Sequence, residues 1–315
     1  MNDRLSSAVA PWRETHPAIA QDAEVMAKVR AGAAAGKGRL RGVAARPIFE
    51  GLIEQTPAPD GVAWRAASVG GVSGLWCEPD GAPEDVAILH LHGGWFNWGT
   101  SDAFRNLVGH IAASANARAF VPDYRLAPEA PFPAGLEDAR ACYQGLVEAG
   151  VRAIAVTGDS AGGNLALSLM TTAPGRLDKL SGAVVLSPVT DLTLSGLSWT
   201  SRADQDPFFV RDQAETLIAD YAAGHDRSDP ALSPLFGGFA NLPSLRVHVG
   251  DDEVLLDDSL DYVQRAVAAG ADARVDVWMG MAHGFIGRVG QLDATGAALG
   301  RVGDFLSERL QPHRS

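Results

Sequence analysis

The chain has 315 residues, of which 46% are hydrophobic and 20% charged, and its formal net charge is −12. A chain of this length buries roughly 75% of its unfolded surface, so a full core needs neither a metal nor a disulfide framework. The acidic balance excludes a basic phosphate-binding surface, and with it a nucleic-acid partner or an anionic membrane face.

Residues 1–19 carry Asp3, Arg4, Arg13, Glu14 and two prolines, with no continuous apolar stretch, so no signal peptide is read. No apolar run reaches the ~18 residues of a membrane span. The two cysteines, Cys77 and Cys142, are too few for a disulfide scaffold. Reduced, partly buried thiols fit a cytoplasmic protein. Residues 18–35 are Ala-rich and helix-prone, and 36–42 are basic and broken by glycine. The first 45 residues thus read as a helical appendage outside the core. Gly32 to Gly38 resembles a phosphate loop, but the glycines stand one residue too close and no Ser or Thr follows Lys37.

From there strands and helices alternate. Strands are expected at 62–69 and 72–77, joined by a Gly70-Gly71 hairpin turn, and then at 86–92, 119–123, 153–157, 183–187, 245–249 and 274–278. Helices are expected at 103–113, 135–148, 161–172, 259–269 and 296–310. Apolar strands separated by helices predict a mostly parallel sheet covered on both faces, an α/β fold. Residues 190–239 interrupt the rhythm with one helix near 212–221. Insertions of this length commonly cover a site.

Four segments carry chemistry. Gly158-Asp159-Ser160-Ala161-Gly162-Gly163 follows an apolar strand and opens a helix, the strand–turn–helix setting that lifts a nucleophilic hydroxyl clear of the backbone. The N–H of Ala161 and the helix N-terminus then face a developing oxyanion. His92-Gly93-Gly94-Trp95 ends another strand and offers backbone N–H groups free of side-chain obstruction. His90 and His92 share a strand face, but no HExxH segment or Cys/His cluster supports a metal, and no cofactor motif is read. Asp251-Asp252-Glu253 puts three acids at a strand's carboxyl end, where open α/β sheets place functional groups. His283 follows the last strand, so the chain order is Ser160, an acid, then His283.

Together these motifs, with Asp123-Tyr124-Arg125-Leu126-Ala127-Pro128-Glu129, Pro131-Phe132-Pro133 and Leu186-Ser187-Pro188, resemble the hormone-sensitive-lipase-like branch of the α/β-hydrolases from about Val86 to Phe285. The resemblance implies an eight-stranded α/β-hydrolase sheet with a helical cap. The cap would be residues 1–45 together with the insertion 190–239, and the core 46–189 and 240–315. It implies a serine carboxylester hydrolase for short-chain acyl esters, a small-molecule substrate. Its catalytic residues would be Ser160, His283 and, by the family's Asp-Glu-x-Leu pattern, Asp252, with Asp251 as the alternative and Glu253 a poor third. Gly94, Trp95 and Ala161 would form the oxyanion hole.

Trp95 stands where the family usually has a third glycine, so its indole is expected to narrow the acyl pocket, with Trp98 nearby. Trp199, Phe208, Phe209 and Phe285 are further candidates for the pocket wall, and Trp12 for the roof. Asp123 and Arg125 read as a buried structural pair. The family often dimerises through its last strand, here 274–278. Amide, lactone or carbamate hydrolysis by the same triad, and a non-catalytic ligand receptor on the same fold, are the competing readings.

Overall fold

In the strand Val86–Leu91 every residue is buried, and alternate side chains face opposite ways. Val86 and Ile88 enter one hydrophobic cluster, Ala87, Leu89 and Leu91 the other. A strand covered on both faces reads as an unbroken apolar run, which is why these segments are legible in the sequence.

The computed structural model describes residues 10–172 and 177–311. Its strands are β1 (Arg13–His16), β2 (Val62–Val69), β3 (Val72–Pro79), β4 (Val86–Leu91), β5 (Ala119–Pro122), β6 (Ala153–Asp159), β7 (Leu180–Leu186), β8 (Leu245–Gly250) and β9 (Ala273–Trp278). Among the described residues they form one sheet in the order β1-β9-β8-β7-β6-β4-β5-β3-β2. β3 is antiparallel to β2 and β5, and the remaining pairs are parallel.

The helices are α1 (Ala20–Ala33), α2 (Arg46–Ile53), α3 (Ser101–Ala115), α4 (Ala134–Glu148), α5 (Ala161–Thr172), α6 (Ser198–Ser201), α7 (Arg211–Ala222), α8 (Leu256–Ala268) and α9 (Asp293–Leu310). α3 and α9 pack on one face of the sheet, and α4, α5 and α8 on the other. None of them is long and apolar enough to cross a membrane. Cys77 and Cys142 are unbridged and buried, and burial pushes both thiols up to about 12.

The parallel register sets the site. Leu91 is opposite Gly158, Asp159 opposite Leu186, Leu186 opposite His248, and Gly250 opposite Trp278. The segments leading to His92, Ser160, Ser187, Glu253 and His283 therefore leave one edge of the sheet together.

The eight expected strands are β2–β9. The ninth corrects the reading of the N-terminus as an appendage outside the core. β1 pairs in parallel with β9, His16 Nε2 lies 2.7 Å from Asp276 Oδ1, and the His16 ring stacks on Trp278 at 3.9 Å. Asp22 is fully buried, and its two oxygens accept the Asp293 and Ala294 N–H groups at 2.8 and 2.9 Å, which caps α9. Met26 lies in the core. The edge of β9 expected to join a second copy is thus taken by β1. Trp12 packs beside this edge strand, away from the cavity described below. Asp123 and Arg125 do not pair: Asp123 accepts the Ser101 N–H, and Arg125 forks onto Asp138 at 2.8 and 3.0 Å.

Asp258 of α8 anchors the start of the insertion 190–239. Asp258 Oδ1 accepts the N–H groups of Thr190 at 2.7 Å and Asp191 at 3.0 Å. Burial pushes the Asp258 carboxyl up to about 8, so at neutral pH an amide is its close stand-in. Further out, Gly38 N–H donates to Phe208 O at 3.0 Å, Gln213 Nε2 to Leu40 O at 2.8 Å, and Arg41 pairs with Asp212 at 2.7 Å. These contacts bind residues 37–41 to the insertion. Asp258→Ala should lower stability by about 2–4 kcal/mol, because it orphans two buried donors, whereas Asp258→Asn should cost under about 1 kcal/mol. Urea unfolding midpoints at constant m-value measure the difference.

Candidate active site

The turn from β6 to α5 places Ser160 at φ +53°, a left-handed conformation that a non-glycine residue adopts only when its surroundings hold it there. Its N–H donates to Leu186 O at 2.8 Å and its carbonyl accepts from Val189 N at 3.1 Å. The turn is too tight for side chains at two neighbours. A Cβ on Gly158 would collide with the Gly162 carbonyl, and one on Gly162 with the Leu91 carbonyl. The serine is held by strands on both sides.

The His92–Trp95 loop is fixed against this turn. Asp159 Oδ1 accepts the Gly93 N–H at 2.9 Å, and Tyr124 donates its hydroxyl to His92 O at 2.7 Å. The His92 ring stacks between Tyr124 at 4.3 Å and Phe104 at 5.2 Å, and burial pushes its pKa down. Among the described residues the N–H groups of Gly94, Trp95 and Ala161 meet no acceptor.

The three consecutive acids part company after β8. Asp251 accepts the Gly280 N–H at 2.5 Å. Asp252 pairs with Arg30 of α1, which also donates to Gly280 O at 3.0 Å. Glu253 is fully buried: Oε1 accepts Gly250 N–H and the Ser187 hydroxyl, each at 2.7 Å, and Oε2 lies 2.8 Å from His283 Nδ1. The expected assignment of Asp252 as the imidazole's partner is therefore corrected to Glu253. The chain bends after Gly250, so the first two carboxylates face loop and helix, and the longer Glu253 side chain turns inward under the histidine.

Burial disfavours the charged His283 ring, but the Glu253 carboxylate, by charge and hydrogen bond, together with the charges of Asp206 and Asp159, outweighs it and raises the pKa above the ordinary 6.5. Asp206 is itself buried and pushed up. It accepts the N–H groups of Phe208 at 2.8 Å, Phe209 at 3.0 Å and Val254 at 3.0 Å, tying the insertion to the residue after Glu253.

A cavity of about 220 Å³ opens on His283 and Asp159. Phe208, Phe209 and Phe285 line it, together with Phe49 and Ile53 of α2. Trp98 and Trp199 do not. Trp98 stands behind Phe49 at 5.5 Å and donates its indole N–H to Gly42 O at 2.8 Å. Trp199 packs on Trp95 at 6.4 Å. Trp95 is also outside the lining: its indole meets Phe209 edge-on at 5.3 Å, and Phe209 in turn meets the His283 ring at 4.8 Å. The three tryptophans buttress the wall. Among the described residues, Glu14, His16 and Asp276 bring three metal-ligating atoms together, but Arg301 and Arg274 already pair with the two carboxylates there.

The alpha/beta hydrolase fold family matches residues 88–287. An acetyl-hydrolase of Streptomyces hygroscopicus is 34% identical over 219 residues, 69% of this chain and 73% of that protein. An esterase of Acinetobacter venetianus is 31% identical over 246 residues, 77% of this chain and 81% of its own. A solved esterase of the bacterial hormone-sensitive lipase family superposes with a TM-score of 0.87 at 33% identity, covering 94% of this chain and all of that one. The chain belongs to the hormone-sensitive-lipase-like esterases of the α/β-hydrolase fold.

Since Glu253 supplies what raises the imidazole pKa, Glu253→Gln should move it downward, because burial then acts with less opposition. Proton NMR titration of the His283 ring measures this. An unmoved or higher value would contradict the pairing.

Proposed function

We propose that the protein hydrolyses short-chain carboxylic esters through an acyl-enzyme on Ser160. The observation that carries this reading is the 2.8 Å contact between buried Glu253 and His283 at the sheet edge where the strained Ser160 turn emerges. With Nδ1–H donated to Glu253, the Nε2 lone pair of His283 is free to take the Ser160 proton as Oγ attacks the ester carbonyl. The negative charge that develops on the carbonyl oxygen is stabilised by the N–H groups of Gly94, Trp95 and Ala161. His283 returns the proton to the departing alcohol. It then takes one from water, which attacks the acyl-serine, and the freed acid leaves with the serine restored. The Glu253 carboxylate balances the charge of the imidazolium.

The small cavity favours short acyl groups, and relatives bearing the name acetyl-hydrolase agree with that size. α2 and the Asp206–Phe209 segment serve as the roof, holding water away from the acyl-serine. The proposed cap is thus residues 36–56 with the insertion, while β1 and α1 serve the core.

Ser160→Ala should lower kcat on p-nitrophenyl acetate by at least about 10³-fold, and Glu253→Ala by roughly 10²–10⁴-fold. Asp252→Ala should stay within about tenfold of wild type. A larger loss at Asp252 than at Glu253 would reverse the assignment. A phosphonate ester should label Ser160 stoichiometrically; tight binding without labelling would favour a receptor.

Because the base must be neutral, kcat/KM should rise with pH through a value above the ordinary 6.5 of histidine. In Glu253→Gln that limb should shift to lower pH, at a much reduced plateau. A limb unchanged in position would separate the kinetic pKa from His283.

A further inference from the structure

Past His283 the chain makes a short 3₁₀ turn, Phe285–Gly287, and reaches Arg288. Arg288 lines the same cavity as His283. Thr56 donates its hydroxyl to Gly287 O at 3.0 Å, which seats the Gln55-Thr56 segment beside Arg288. Gln55, Thr56 and Gln291 also line the cavity. One part of the wall therefore gathers a guanidinium, two carboxamides and a hydroxyl, while the rest is formed largely by apolar residues such as Phe49, Ile53, Leu107 and Phe208.

The guanidinium is short of partners. Among the described residues it makes one side-chain hydrogen bond, to Gln291 Oε1 at 3.5 Å, and no carboxylate lies within ion-pair distance. Burial pushes its pKa down, with no neighbouring acid acting against that. Other arginines here meet carboxylates directly, as Arg125 does with Asp138 and Arg301 with Asp276. A partly desolvated cation facing a cavity gains most from an anion arriving with the ligand.

We propose that the site is built for esters that carry a carboxylate at the end remote from the scissile bond, with Arg288 as the residue that receives it. This rests on the esterase reading above. The ester carbonyl sits by Ser160 and His283, an apolar spacer crosses the phenylalanine-lined stretch, and the carboxylate meets Arg288, with the Gln55 and Gln291 amides as further donors. The net charge of −12 does not oppose this at close range, since exposed charges are screened beyond ~8 Å at physiological ionic strength. The geometry leaves two chemical sources for the carboxylate, the acyl chain or the alcohol.

The test compares full-length wild type, Arg288→Gln and Arg288→Lys on three substrates. These are p-nitrophenyl butyrate, which is neutral; mono-p-nitrophenyl adipate, with the anion on the acyl side; and 4-butyryloxybenzoate, with the anion on the alcohol side. Arg288→Gln should lower kcat/KM at least about tenfold, equivalent to about 1.4 kcal/mol, on one anionic ester, mainly through KM. It should leave p-nitrophenyl butyrate within about twofold, and Arg288→Lys should recover part of the loss. The ester that responds identifies the side on which the anion enters. Parallel changes on all three substrates, or no change on either anionic one, would overturn the proposal. Wild-type turnover of p-nitrophenyl butyrate is the internal control: its absence would remove the esterase reading itself, whereas with turnover intact a failure falls on Arg288 alone. Thermal melting of both variants confirms that folded protein is being compared.

Discussion

Glu253 is wholly removed from water, and a buried carboxylate is tolerated only where its oxygens are occupied by donors. Here three donors converge from separate stretches of chain: Gly250 N–H at the end of β8, the Ser187 hydroxyl just past β7, and His283 beyond β9. The carboxylate is satisfied only when β7, β8 and β9 lie in their observed register. A slip of β8 by one residue against its neighbours would turn side chains to the opposite face and break the contacts with Ser187 and His283. Sheet register and the geometry of the proposed base are one constraint, and Ser160, held by its N–H bond to Leu186 on β7, is drawn into it.

The neighbouring acids extend that constraint outward. Asp252 reaches Arg30 and so links α1 to the loop that carries Glu253. Asp206 ties the phenylalanine wall to Val254, one residue further on. Asp251 fastens the segment after β9 through Gly280. The loop after β8 is thereby fixed to the N-terminal helix, to the insertion and to the strand beside it. The cavity wall behaves similarly, since Trp199, Trp95 and Phe209 form an aromatic series ending on the His283 ring. Bulk that looks in the sequence like pocket lining serves to hold Phe209 in place.

How much is legible in the sequence follows from the same physics. The eight strands β2–β9 are readable because strands buried on both faces are apolar runs. The Ser160 turn is readable because its glycines are demanded by backbone contacts within a few residues. His283 is readable from chain order. Glu253 is not, because three adjacent acids occupy the same place in the pattern. What separates them is the end of β8 at Gly250 and an arginine 222 residues away from Asp252. β1 is hidden for a different reason: Arg-Glu-Thr-His has no apolar run, and beyond its backbone pairing with β9 its side chains hold the sheet edge through ion pairs and one ring stack. α2 could have been found, since Pro47 opens it and Ile48, Phe49, Leu52 and Ile53 repeat at helical spacing.

The His283–Glu253 pair also sets stability and chemistry against each other. The imidazole pKa is raised in the folded state, so the pair's contribution to folding is complete below the ordinary value of 6.5 and is lost as pH rises through the raised one. The proposed reaction needs the neutral ring and therefore runs where that contribution has gone. The fold must then be held at working pH by groups that do not titrate there. The sheet buried on both faces is of that kind. Glu253 is free to orient the base because the scaffold around it does not rely on the charge of His283.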